Sequence, residues 1–122
     1  NFLRRDVLPV LARHWPQAGA NLARTAEHMR EAERLLEELA EQDLAAARSA
    51  TKLPWLELPS LALVPLRALS EPRLRNALRH WLAPLTRMPD SDHWAGWFDL
   101  CDAAADAAPV WRLEGGELRR AD

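Results

Sequence analysis

A chain of 122 residues, 48% hydrophobic and 28% charged, has the size and composition of one folded globular domain and not of a disordered segment. The formal charge of −2 argues against a free-standing binder of polyanions, and no apolar run approaches the ~20 residues that span a bilayer. The single cysteine, Cys101, excludes an internal disulfide or a cysteine-based zinc site; with no signal-peptide pattern, a reducing, cytoplasmic setting is expected.

The charge is unevenly spread. Residues 1–24 carry +3, 27–43 carry −5, 48–87 carry +5 and 90–106 carry −5. Two basic stretches therefore alternate with two acidic ones. Fifteen of the sixteen bases are Arg, a side chain suited to forked phosphate contacts.

In chain order, Phe2 to Trp15 reads as a helix with Leu3, Val7, Val10 and Leu11 as its apolar positions, and Pro9 should kink or interrupt it. Pro16 favours a fresh helix start. A long helix to about Arg48 follows, with Leu22, Ala26, Met29, Leu36 and Leu39 marking one face and Glu33, Glu37 and Glu41 another. Pro54, Pro59 and Pro65 exclude a long helix over 53–69; a short edge strand from Trp55 and a helical turn near Leu61 are expected there. Ser70 as N-cap and Pro72 just inside open the next helix. Its stripe is Leu74, Ala77, Leu78, Trp81, Leu82 and Leu85, with Arg73, Asn76, Arg79 and His80 off that stripe and Arg75 at its margin. Asp90 or Ser91 caps a further helix that should bury Trp94, Trp97, Phe98, Cys101 and Ala105, with Asp99, Asp102 and Asp106 pointing elsewhere. Val110 to Ala121 reads as a hairpin whose turn, Gly115-Gly116, needs positive φ. The fold expected is mainly α, a small helical bundle with a short antiparallel β hairpin near the C-terminus, α+β on a strict count.

No phosphate-cradling glycine loop and no nucleophile–base spacing is present, so no catalytic residue is assigned. Asp99, Asp102 and Asp106 lack an opposing ligand-bearing helix and read as a solvated face; no metal site is assigned. His93 reads as a surface or capping residue, and Cys101 as a small core side chain. Trp81, Trp94 and Trp97 read as core, while Trp55 and Trp111, on expected strands, are candidates for stacking on unpaired bases. Arg73, Arg75 and Arg79 are the main physical hint. Their helix has no acid after Glu71, whereas solvated faces ordinarily mix signs, so this side is a candidate phosphate-contacting surface.

Several segments together resemble the bacterial tRNA(Ile)-lysidine synthetases. Asn1, Arg4, Val7 and Pro9 lie in an Asn-x-x-Arg-x-x-Val-x-Pro pattern similar to the segment that closes that family's catalytic domain, and Trp15-Pro16 follows at the family's spacing. The helix with Leu35, Leu36 and Leu39, then Asp43-Leu44, resembles the next element. Leu69-Ser70, Arg73, Asn76, Arg79, Trp81-Leu82 and Met88-Pro89 resemble the substrate-binding core, and Asp106, Pro109 and Leu118-Arg119-Arg120 the closing hairpin.

The resemblance implies that 1–16 is the exit segment of a preceding catalytic domain and 17–122 a helical tRNA-binding domain; the start on Asn1, not Met, suits an excised or processed piece. It implies a ligase that adenylates the wobble cytidine of the CAU-anticodon isoleucine tRNA and lets free lysine displace AMP. ATP and Mg²⁺ would be handled by a Ser-Gly-Gly-x-Asp-Ser loop that this chain lacks, so no cofactor is expected here and the chain alone should be inactive. Its implied partners are the tRNA and the enzyme's own N-terminal catalytic domain, with no membrane. Asn1, Arg4 and, on charge alone, Arg5 join Arg73, Arg75 and Arg79 as tRNA-binding candidates. The alternative class is a helical protein–protein interaction module with no RNA role.

Overall fold

In a computed structural model of the protein, residues 1–49, 55, 58–87, 94–104 and 106–121 are described. The expected cap at Asp90 or Ser91, His93, Ala105, Met88-Pro89 and the middle of the expected strand after Trp55 lie outside them. The chain divides into two compact units, Asn1–Leu36 and Glu37–Asp122.

The first unit is helical throughout its main elements. A π-helical stretch, Leu3–Val7, passes directly into α1, Leu8–His14, with Pro9 in the first turn of α1. The expected interruption at Pro9 thus takes a definite form: proline has no N–H to offer Arg5, and the wider i→i+5 bond from Leu8 N to Leu3 O closes the turn just before it. Helix α2, Ala18–Ser49, starts in this unit and continues into the second. No residue of 1–36 is buried. The expected apolar stripe of α2 is accordingly open at Leu22, Met29 and Leu36, each at least half exposed.

Burial begins one turn further on, at Ala40, Asp43, Leu44 and Ala47 of α2. Around that stretch the second unit builds its core. Helix α3, Leu63–Arg67, contributes Leu66, and α4, Glu71–Leu82, contributes Leu74, Ala77, Leu78 and Leu82. Helix α5, Ala95–Asp102, contributes Trp97, Leu100 and Cys101, with Trp94 just before it. Ala62 N donates to Ala47 O at 3.1 Å, tying the segment before α3 to α2.

Four details of α4 and α5 differ from the sequence reading. Ser70 stands at the N-cap with extended backbone, but its hydroxyl makes no capping bond. Helix α4 ends at Leu82, so Leu85 falls in the following turn and is 44% exposed. Phe98 is 39% exposed, because the buried stripe of α5 runs through Trp97, Leu100 and Cys101 and leaves residue 98 at its margin. Helix α5 also stops before Asp106, so the three aspartates do not share one helix.

Strands β1, Val110–Leu113, and β2, Gly116–Arg119, form the expected antiparallel hairpin, pairing Trp111 with Leu118 and Leu113 with Gly116. The turn is therefore Glu114-Gly115, one residue earlier than expected, and neither glycine has positive φ. What Gly115 supplies is close approach. Its N–H donates to Thr86 Oγ1 at 3.1 Å, and an added Cβ would sit 3.2 Å from the Leu85 carbonyl oxygen. Strand β1 packs on α5 through Trp111, which is buried against Trp94 and Trp97 at ring separations of 5.7 and 6.3 Å. Trp111 is thus a core residue, not a stacking platform for bases; Trp55 is 73% exposed. Arg120, just after β2, donates to the carbonyls of Leu100, Cys101, Ala103 and Ala104, satisfying acceptors that the end of α5 leaves open.

Candidate nucleic-acid interface

Helix α4 has one apolar side because its apolar residues recur at three- and four-residue steps, and burying Leu74, Ala77, Leu78 and Leu82 sets the directions of the remaining side chains. The three candidate arginines of α4 meet three different fates.

Arg73 does not simply face water. Its Nε donates to Asp43 Oδ2 at 3.2 Å and its Nη2 to Asp43 Oδ1 at 2.5 Å, a two-pronged pair from α4 to α2. The Arg73 side chain keeps 47% of its exposure, but that of Asp43 keeps only 3%. Arg73 is exposed, as expected, but it is not unpaired: a buried carboxylate requires a partner, and Arg73 supplies it.

Arg75 pairs within its own helix, Nη2 to Glu71 Oε1 at 2.6 Å, one turn back. Arg79 is exposed and has no carboxylate partner among the described residues. Asp102 takes Arg67 at 3.2 Å. The Arg79 guanidinium instead lies over the Trp94 ring, 5.7 Å from the centroid, within the range of a cation–π contact.

A second link between α2 and α4 involves groups to which the sequence reading gave no partner. His80 Nε2 lies 2.7 Å from Glu41 Oε1, and Arg48 Nη1 donates to Glu41 Oε2 at 3.0 Å. These hydrogen bonds, from His80 first and Arg48 second, hold the Glu41 carboxyl below the usual carboxylate range. Much of the basic face is therefore offset by acids of α2. The signal was present in the sequence as consecutive blocks of −5 and +5, which attract one another once folded side by side.

In the other unit, Asn1, Arg4 and Arg5 are all exposed. Asn1 O accepts from Arg5 N at 3.3 Å, and no ion pair involves Arg4 or Arg5 among the described residues. Arg73, Arg75 and Arg79 thus share α4, while Arg4 and Arg5 lie on the first helical stretch and Asn1 just before it.

Cys101 is buried, and burial pushes its thiol up from the ordinary value. Among the described residues no three His, Cys, Asp or Glu side chains are grouped as a metal site requires, and no helix is long and apolar enough to cross a membrane.

Comparison with known proteins bears on what this arrangement serves. Residues 61–122, which hold α3, α4, α5 and the hairpin, match the family model of the TilS substrate-binding domain. The chain is 62% identical to a tRNA(Ile)-lysidine synthase of Pseudomonas aeruginosa over 98% of its own length and 28% of that protein's. It is 61% identical to the synthase of Pseudomonas syringae, over 99% of the chain and 27% of the relative. It is 37% identical to that of Escherichia coli O157:H7, over 98% and 27%. No solved structure matches. The chain spans little more than a quarter of the length of these relatives, and it belongs to the TilS substrate-binding domain family.

Proposed function

We propose that this chain is the tRNA-holding part of a cytoplasmic, ATP-dependent ligase that converts the wobble cytidine of the CAU-anticodon isoleucine tRNA to lysidine with free lysine. The observation that supports it most is the match of the whole α3-to-hairpin segment to a substrate-binding domain, joined to high identity with tRNA(Ile)-lysidine synthases along the full chain. The chain's own contribution is to bind and orient. Arginines left unpaired on its surface neutralise phosphates, and a rigid core built on Trp94, Trp97 and Trp111 holds them in place. Asn1, Arg4 and Arg5 would contact tRNA at the junction with the enzyme's N-terminal catalytic domain.

That domain is the proposed protein partner. Phe2, Leu3, Trp15 and Met29 are each more than 60% exposed, apolar side chains that a partner domain would take out of water. Most of each relative's length lies outside the matched segment and can cover them. ATP and Mg²⁺ are assigned to that domain. The same apolar surface is the observation that favours the alternative, a protein–protein module without an RNA role.

Incubating the full-length protein with labelled lysine, ATP and a CAU-anticodon isoleucine tRNA transcript tests the reading. Label should enter the tRNA, and the 122-residue chain alone should give neither label transfer nor ATP–pyrophosphate exchange. Absence of tRNA labelling by the full-length protein would favour the interaction-module reading.

A further inference from the structure

The three arginines of α4 are not equivalent, and their differences assign separate tasks. Arg73 gives Nε and Nη2 to Asp43, whose side chain is 3% exposed and accepts from it twice. Its charge is thereby already matched by a carboxylate, and turning that same pair of donors to a phosphate would strand the carboxylate in the core. Arg75 holds an exposed carboxylate by one contact at 2.6 Å. Its bridge is weak, but Glu71 stays beside any incoming phosphate and repels it. Among the described residues Arg79 has neither obstacle. It is exposed, no acid among the described residues holds it, and the Trp94 face beneath it restricts where the guanidinium can go.

Trp94 is 2% exposed and packed against Trp111 at 5.7 Å, so it is a fixed platform. A cation–π contact engages the charge of the guanidinium and consumes none of its N–H donors, so the fork keeps them for a phosphate. Holding it there also removes part of the side-chain entropy that a contact would otherwise cost.

We propose that, within α4, the contact to the RNA phosphate backbone falls to Arg79, positioned by Trp94, while Arg73 is a structural arginine that holds α4 on α2 through Asp43. This rests on the tRNA-binding reading above and refines it.

The test measures tRNA affinity of the full-length protein across a salt series, beside thermal melts, for the parent, Arg79→Gln, Arg79→Lys and Arg73→Gln. For Arg79→Gln the plot of log affinity against log salt should lose about one unit of slope, with the melting temperature unchanged. Arg79→Lys should keep the slope but bind more weakly than the parent, because an ammonium is a point charge without the planar fork. Arg73→Gln should melt lower and keep the parent slope. The assignment is overturned if Arg79→Gln binds like the parent at every salt concentration. It is also overturned if Arg73→Gln loses the slope while melting like the parent. A parent protein that does not bind tRNA at any salt defeats the functional reading itself, an outcome distinct from both.

Discussion

Replacing Arg73 with Gln should destabilise the second unit far more than a half-exposed arginine would suggest. The magnitude follows from the asymmetry of its pair with Asp43, whose side chains retain 47% and 3% of their exposure respectively. Removing one member of a buried pair costs ~3–5 kcal/mol, because the other charge is left without solvent or partner. Water reaches the guanidinium side, so the lower end applies, about 3 kcal/mol. In a unit of this size each kcal/mol moves the melting temperature by roughly 4–8 °C, which gives a fall of about 12 °C or more. The assay is a thermal melt of the 122-residue chain followed by circular dichroism. The double variant Asp43→Leu/Arg73→Met removes both charges and should melt close to the parent, since apolar replacement of a buried pair is commonly neutral or better. The difference between single and double variants isolates the coupling. A fall of less than about 4 °C for Arg73→Gln, the size expected of an exposed bridge worth ~0–1 kcal/mol, would refute the reasoning and remove the structural role given to Arg73.

Two further outcomes follow from the packing and the charges. Gly96→Ala should lower stability by ~1–3 kcal/mol, because the new Cβ falls 2.6 Å from Trp111 Nε1, inside the indole ring's contact distance, in a core with no room to yield; a urea midpoint equal to the parent's contradicts that close approach of α5 and β1. Acidification should act on the Glu41 contacts: because its folded carboxyl is depressed, its contribution is present above the ordinary value of 4.5 and is lost as pH falls through 4.5 to the folded value. Melts between pH 6 and 3 should therefore show a smaller acid loss for Glu41→Gln than for the parent, and equal losses would mean that His80 and Arg48 do not stabilise the ionised group.

Local signals carried well from sequence to fold. Apolar spacing located α4 and its buried residues Leu74, Ala77, Leu78 and Leu82; the changes of period and the glycines located the hairpin. The misreadings lie where a neighbour distant in sequence decides the outcome. Nothing near Asp43 announces that Arg73, thirty residues on, will bury it. An isolated strand cannot show that α5 covers one of its faces, so Trp111 reads as open when it is core. The hairpin turn slipped by one because Gly115 answers to Thr86 and Leu85 and not to the handedness of the turn. Within α4, composition marked the arginines as one set, while only the folded neighbours Asp43, Glu71 and Trp94 separate them.

The most direct measurement of the central claim is hydrogen–deuterium exchange of the full-length protein with and without the CAU-anticodon isoleucine tRNA. If this chain holds the RNA, peptides covering α4 should exchange more slowly when the tRNA is added. Saturating tRNA that slows exchange elsewhere in the protein, while every peptide from residues 1–122 exchanges as before, would contradict it.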